Sequence, residues 1–407
     1  MKFTEFGFEP PILEALDAMG FDTPTPIQVQ AIPAIMQNRD VIACAQTGTG
    51  KTAAFVLPIL NAICKRGSSE KVSTIVIVPT RELAMQIDQQ VEGLSYFTNA
   101  TSIAIYGGGD GQSFDSEKKA LTTGADIVIC TPGRFISHLS MGYFDTSGVK
   151  HLILDEADRM LDMGFNEDIS RIAEQLPKER QNLMFSATMP PKIRQLSNQL
   201  LKDPITINIA ISKPNEGILQ AAYLVHNNQK IALIKHLLKG KDHDFILVFS
   251  SRKSSVKEIT AALNKQGMPA KSIHSDLTQQ EREAVLLDFK NKKIQLLVAT
   301  DVLSRGIDIQ GINLVINYDI PSDAEDYVHR IGRTARGDNT GVAITFINAD
   351  ECYNFSKIEK LIEKEVHKLA LPEGFEEGPK YDTTYKKPFK GKKNFSKKGN
   401  WSKKPAK

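Results

Sequence analysis

Cysteine is scarce in this sequence. The four residues, Cys44, Cys64, Cys130 and Cys352, are scattered, form no C-x-x-C pair and have no histidine cluster at ligand spacing. This pattern argues against a zinc ribbon or a disulfide scaffold and leaves the thiols as free, buried side chains. Long apolar runs are missing too. No stretch approaches the roughly 18 apolar residues of a membrane-crossing helix, and the opening MKFTEFGFEPP has no signal-peptide core. The expectation is a cytoplasmic protein with no membrane partner. Charge of one sign is also in short supply, with a net of only +3 over 407 residues, but that average conceals a split. From Lys380 to Lys407 there are 11 lysines against one acid, a net of +10, so the rest of the chain carries −7. Attraction to nucleic acid or another anionic surface is therefore concentrated in a tail.

What is present is an ordinary globular composition, 41% hydrophobic and 24% charged, long enough for two or three domains. Short apolar, β-branched runs alternate with longer helical patterns. The first half offers DVIACA (40–45), STIVIVP (73–79), TSIAIY (101–106), ADIVICT (125–131), HLILD (151–155) and NLMFSAT (182–188). The second offers FILVFSS (245–251), AKSIHS (270–275), IQLLVATD (294–301), NLVINYD (313–319) and GVAITFI (341–347). Near-continuous apolar strands separated by helices predict an α/β fold with a parallel sheet covered on both faces, occurring twice. The expected units are residues 1–208 and 220–368, joined by a linker at 209–219 within the Pro-interrupted KDPITINIAISKPNEGILQ, and followed by a basic disordered tail at 369–407.

Directly after the strand DVIACA comes AQTGTGKT (45–52), then a helical stretch. This is a P-loop in all but its first position, where Ala45 replaces glycine. In Gln46, Thr47, Gly48, Thr49 and Gly50 the glycines let successive backbone N–H groups curl around one anion, and the helix start adds a positive dipole end. Lys51 would reach the β and γ phosphates of ATP, and the Thr52 hydroxyl would ligate Mg²⁺. Further on, the apolar strand of HLILDEADRM runs into Asp155, Glu156 and Asp158. Three carboxylates at a strand tip repel one another and are costly to desolvate, so either the strand ends in water or a cation waits there. Ligands of α/β sheets sit at the carboxyl ends of strands, so Asp155 can face the Mg²⁺ held by Thr52. Glu156 points elsewhere and can orient or deprotonate an attacking water.

Asp155 to Asp158 spell the motif of the DEAD-box RNA helicases of superfamily 2, and the chain resembles that family from Phe3 to about Ile347, with its motifs in order. The resemblance implies two tandem RecA-like domains and ATP-dependent, local RNA unwinding. GFDTPTPIQ (20–28) resembles the Q motif, which implies that Gln28 reads adenine with Phe3 or Phe21 near the base. PTRELA (79–84), Gly107-Gly108 and TPGR (131–134) resemble RNA-contacting elements, implicating Pro79, Arg81, Gly107, Gly108, Thr131 and Arg134. SAT (186–188) resembles the coupling motif, in which the hydroxyls of Ser186 and Thr188 would hydrogen-bond Asp158. In the second half VFSSRK, QQER, ATDVLSRGID and HRIGRTAR match further motifs. They imply Arg333 and Arg336 as arginine fingers, Asp301 as a ribose contact, Arg305 and His329 as interdomain contacts, and Arg252, Gln279, Arg282 and Thr300 on the RNA side. Ser275 and Ala335 stand where the family usually or often has glycine. The short N-terminal lead, HRIGRTAR and the basic tail look most like the bacterial RhlE-type subgroup.

The expected cofactors are ATP and Mg²⁺, with Asp155 meeting the metal through water. The expected partner is RNA, single-stranded or as a short duplex, and the protein is expected to act as a monomer, with proteins of ribosome assembly or RNA decay as further partners. Tyr381, Tyr385, Phe389, Phe395 and Trp401, interleaved with lysines, suit the tail to be an RNA tether. Two other readings stay open at this point: a DNA-directed ATPase of the same superfamily, and an ATP-gated RNA clamp. Stimulation by matched RNA and DNA separates the first, and phosphate release the second.

Overall fold

Strands that are apolar at nearly every position leave little of either sheet face for water, and most of the strands of this chain are of that kind. The structure, a computed structural model, describes all residues except 46–47, 68–70, 109–110, 210–216, 241–244, 301–311, 322, 335–340 and 385–407. The first unit holds β1 (Val41–Cys44), β2 (Thr74–Ile77), β3 (Ser102–Ile105), β4 (Ile127–Cys130), β5 (His151–Leu154), β6 (Gln181–Ser186) and β7 (Ile205–Asn208). The second holds β8 (Ile218–Leu224), β9 (Ile246–Phe249), β10 (Ala270–Ile273), β11 (Leu296–Ala299), β12 (Leu314–Asn317), β13 (Gly341–Ile347) and β14 (His367–Leu369). Each set forms one seven-stranded sheet, in the orders β3-β4-β2-β5-β6-β1-β7 and β10-β11-β9-β12-β13-β8-β14. Every pairing is parallel.

Side-chain alternation divides each sheet between two apolar layers. In the first, Val41, Val76, Ile127, Ile153, Leu183 and Phe185 face one layer, while their neighbours Ile42, Ile75, Val128, Leu152 and Met184 face the other. The first layer is closed by α1 (Pro10–Ala18), α2 (Pro26–Met36), α3 (Lys51–Arg66) and α4 (Arg81–Ser95). The second is closed by α5 (Gly111–Thr123), α6 (Pro132–Met141), α7 (Ala157–Asp162), α8 (Asn166–Glu174) and α9 (Pro191–Leu200). In α4 the buried residues Leu83, Ile87, Val91 and Leu94 recur at helical spacing, and the Thr80 hydroxyl caps the first turn by accepting from Leu83 N–H. The second sheet is covered by α10 (Lys230–Leu238) and α11 (Lys253–Asn264) on one face and by α12 (Gln279–Lys290), α13 (Ala324–Ile331) and α14 (Cys352–Ile362) on the other.

Three elements differ from the sequence-based expectation. The segment taken as the join supplies β7 to the first sheet and β8 to the second, so the second packed unit begins at Ile218 rather than 220. The tail expected from 369 starts as packed structure: β14 pairs with β8, and Leu371 and Phe375 lie on the core behind it. Tyr381 packs on the α13/α14 core and its hydroxyl donates to Glu359 Oε2. Among the thiols, Cys130 and Cys352 are buried and Cys44 and Cys64 are partly so, and all four are free.

Candidate nucleotide and nucleic-acid site

Strand order decides which loops meet. β5, β6 and β1 are neighbours, so the loops at their carboxyl ends, bearing Asp155, Ser186 and the P-loop, converge on one side of the rim. β3, β4 and β2 are neighbours on the other side, and their loops carry Gly107-Gly108, TPGR and PTRELA. The strand order therefore separates the expected nucleotide residues from the expected RNA residues while keeping both along one edge.

The nucleotide side is a cavity of about 280 Å³ lined by Phe21, Gln28, Gly48, Gly50, Lys51, Thr52, Asp155, Glu156 and, from the second unit, Arg333. Gly50 caps α3 in the left-handed region at φ 89°, and a Cβ there would stand 2.5 Å from Gln28 Nε2, so only glycine fits. Gln28 is buried and tied at both ends of its amide: Oε1 accepts from Thr25 N–H at 2.9 Å and Nε2 donates to Gly50 O at 3.1 Å. It thus joins the Q motif to the P-loop. Phe3 does not line the cavity. It lies behind Phe21, edge-on at 6.3 Å between ring centroids. Lys51 is buried and donates to Ala45 O at 2.8 Å.

The three carboxylates are all buried and have different surroundings. Burial pushes the Asp155 carboxyl up to about 6, an effect reinforced by Glu156 and Asp158 and opposed by Lys51 and by the Glu156 N–H that it accepts. Glu156 sits in the left-handed region at φ 53°, ψ 48°, and forms the N-cap of α7. A non-glycine residue there costs about 1–2 kcal/mol and marks a backbone held for a purpose. The turn aims its side chain into the cavity with Arg159 Nη1 3.4 Å from Oε2. Asp158 accepts from the Thr188 backbone N–H at 3.1 Å, and the Ser186 hydroxyl donates to Thr188 O at 2.7 Å. The link from Asp158 to the SAT segment therefore uses a main-chain donor, where hydroxyls were expected, because Ser186 tightens the turn that presents that N–H.

Across the rim, Pro79, Arg81, Gly107, Thr131, Arg134 and Arg282 line a second cavity of about 570 Å³ together with Met163, Phe165 and Ser275. Gly108, at φ 91°, lies against the Arg81 guanidinium, where any Cβ would collide. Arg282, from α12, forms an ion pair with Glu82 of PTRELA at 3.2 Å, so the two units touch at this cavity as well as at Arg333. Two buried polar atoms of residues that line this cavity have no hydrogen-bond partner among the described residues, Arg134 Nη2 and Arg282 Nε, and Thr300 Oγ1, at the end of β11, is likewise unpartnered. Buried donors without a partner beside a cavity are what a polar ligand would satisfy. Arg252 is the N-cap of α11, and His329 is buried on α13 with Asp326 Oδ1 3.9 Å from its Nδ1. Gln46, Thr47, Asp301, Arg305 and Arg336 lie outside the described residues, as does the side chain of Gln279.

Sequence reasoning missed Glu82 and its pairing with Arg282, and the residues that surround Arg134. Arg134 Nε donates to Glu117 Oε2 at 2.8 Å, and its guanidinium lies over the Phe114 ring at 4.7 Å. No periodicity announces such pairs, because their partners are 200 and 17 residues apart in the chain.

This geometry defines a class, two parallel-sheet units facing each other across a P-loop and a carboxylate-bearing strand tip. Residues 25–196 match the DEAD/DEAH box helicase family model, and residues 229–338 match the helicase conserved C-terminal domain. The chain is 41% identical to the ATP-dependent RNA helicase CshA of Listeria monocytogenes, over 91% of this chain and 71% of that one. It is 39% identical to the DEAD-box ATP-dependent RNA helicase RhpA of Helicobacter pylori, over 91% and 74%. Among solved structures it resembles Dbp5 of S. cerevisiae bound to RNA and ADP BeF3, with a TM-score of 0.80, 31% identity, and coverage of 90% of this chain and 95% of that one. The chain belongs to the DEAD-box family of ATP-dependent RNA helicases, ATP-hydrolysing enzymes. Among the described residues no helix is long and apolar enough to cross a membrane.

Proposed function

We propose that this chain hydrolyses ATP in a site completed only when its two units close, and that the same closure assembles the RNA-side cavity and bends one strand away from its partner. The observation that carries the reading is Arg333, a second-unit residue that lines one cavity with Lys51, Asp155 and Glu156 of the first. In that arrangement Lys51 and the P-loop amides hold the phosphates, Glu156 orients the attacking water and takes its proton, and Arg333 stabilises charge on the transferring phosphoryl group. Arg336 and Asp301 belong to the same reading by resemblance. Gln28 and Phe21 favour adenine at the far end. Asp158, Ser186, Thr188, Arg305 and His329 couple the two halves.

Mg²⁺ fits the residues present. Asp155 is a buried carboxylate with two others beside it, and the Thr52 hydroxyl lines the same cavity. A hard cation that keeps most of its waters needs few protein ligands, in keeping with the lack of a three-residue metal cluster among the described residues. Thr52 and, through water, Asp155 would hold it, and it would neutralise phosphate charge.

RNA is the partner proposed for the second cavity, where Arg81, Arg134 and Arg282 offer cations and the glycines a close backbone approach. Pro79, Thr131, Arg252, Gln279 and Thr300 extend that surface, and the lysine-rich residues from 385 onward tether RNA from outside it. We place the protein in the cytoplasm as a monomer, with partners in ribosome assembly or RNA decay. RhlE-type character rests on the short lead, HRIGRTAR and the basic tail, whereas the relatives described above bear the names CshA and RhpA. ATP turnover with matched single-stranded RNA and DNA tests the proposal: strong stimulation by RNA alone is expected, and equal stimulation by DNA overturns it, because only RNA carries the 2′-OH.

A further inference from the structure

Behind Arg134 of the RNA-side cavity stands a set of side chains that neither motif nor resemblance assigned. Glu117, on α5, is buried, and its Oε2 accepts from Arg134 Nε at 2.8 Å and meets His138 Nε2 at 2.7 Å. His138, on α6, is fully buried, stacked on Phe114 at 4.4 Å and 12°, and hydrogen-bonded through Nδ1 to the Tyr143 hydroxyl. Burial, reinforced by Glu117, pushes the Tyr143 phenol up, so it stays protonated and donates to the ring, while Nε2–H donates to Glu117. Phe114 stands beneath both the His138 ring and the Arg134 guanidinium. The result is a fixed arginine that lines the cavity, with its Nε occupied and its Nη2 buried and unpartnered.

We propose that Glu117, backed by His138, is a positioning residue that, with Phe114 under the guanidinium, holds Arg134 at the cavity for an RNA phosphate. This rests on the reading of Arg134 as an RNA contact. A free arginine loses rotamer freedom when it binds, and clamping Nε in advance removes that cost. A charge-assisted bond to a buried carboxylate also fixes the plane of the fork, and a phosphate oxygen needs that plane to accept from Nη2.

The test measures ATP turnover against RNA concentration in the full chain. Glu117→Ala is expected to raise the RNA concentration for half-maximal turnover by about tenfold, the order of one charged hydrogen bond, while kcat at saturating RNA holds. Glu117→Gln keeps an acceptor for Nε and should stay within about threefold of wild type. Phe114→Leu keeps the volume but removes the ring, and should raise half-saturation by about threefold. This variant also serves if Glu117→Ala folds poorly. In an Arg134→Ala background none of these changes should add anything, since the residue they position is gone. Effects of Glu117→Ala and Arg134→Ala that multiply, or a fall in kcat at unchanged half-saturation, overturn the proposal and leave Glu117 a structural residue. If Arg134→Ala itself leaves half-saturation unchanged, the RNA reading of the cavity fails instead.

Discussion

Replacing Asp155 with asparagine should stabilise the metal-free protein while disabling it. The carboxyl is nearly inaccessible, and burial lifts it from its ordinary value of 3.8 to about 6. The sign follows from linkage. A raised folded-state value favours folding when the group is protonated, and that contribution is lost as pH rises through about 6. Above that pH the ionised Asp155 costs the fold about 3 kcal/mol, the free energy of the difference between its folded and ordinary values. At pH 5, between the unfolded and folded values, the cost falls to roughly half that. Asparagine keeps the acceptor for Glu156 N–H and carries no charge, so it removes the cost. Guanidinium melts in EDTA at pH 5 and pH 8 measure it. The expected gain for Asp155→Asn is about 3 kcal/mol at pH 8 and about half of that at pH 5, in the transition of the first unit, with ATP turnover at least ~100-fold lower at either pH. A variant that is no more stable than wild type at pH 8, or a gain that is independent of pH, would refute the reasoning. The strain would then lie elsewhere than in a desolvated charge.

Other perturbations act on separate links. Glu82→Ala and Arg282→Ala should each raise the RNA requirement and show a coupling near ~1 kcal/mol in a double-mutant cycle, since their pair is partly buried at the contact between the two units. Independent effects would mean that the pair does not help closure. Thr188→Ala should leave duplexes unwound per ATP within about threefold of wild type, because its main chain supplies the bond to Asp158, whereas Ser186→Ala removes the hydroxyl that shapes the turn and should cost more. The reverse ranking would restore the hydroxyl scheme. Ending the chain at 384 should leave the stability of the second unit unchanged, but weaken RNA binding and flatten its dependence on salt. Ending it at 368 should cost that unit on the order of 3 kcal/mol or more by stripping Leu371, Phe375 and Tyr381 from its core. Equal melting of the two truncations would contradict the packed strap.

The sheets and the nucleotide site were legible because their signals are local. A P-loop has fixed spacing, three carboxylates at a strand tip have an electrostatic cost that a cation relieves, and a strand buried on both faces is a near-continuous apolar run. β7, β8 and β14 escaped for the opposite reason. β7 buries only Ile207 fully, and β8 mixes Gln220 into an alternating pattern, so neither reads as a continuous run. β14 is three residues long. Phe375 and Tyr381 sit among prolines, glycines and charges, which read as tail, yet they are anchored by surface that only the folded second unit provides. The RNA side was readable as motifs but not as physics. That Arg134 rests on Phe114 and Glu117, or that Arg282 reaches Glu82, depends on which strands become neighbours. For Asp158 the resemblance pointed to the hydroxyls of Ser186 and Thr188, whereas the bond comes from the Thr188 main chain, which backbone geometry decided.

The central claim is that catalysis needs both units at one cavity, and Arg333→Ala addresses it most directly. Phosphate release at saturating ATP and RNA should fall by about 100- to 1,000-fold, the scale of losing a charge-stabilising donor in the transition state. ATP affinity should stay within a few-fold, because the first unit holds the phosphates. Turnover near the wild-type level would contradict the account, since the site would then be complete without the second unit.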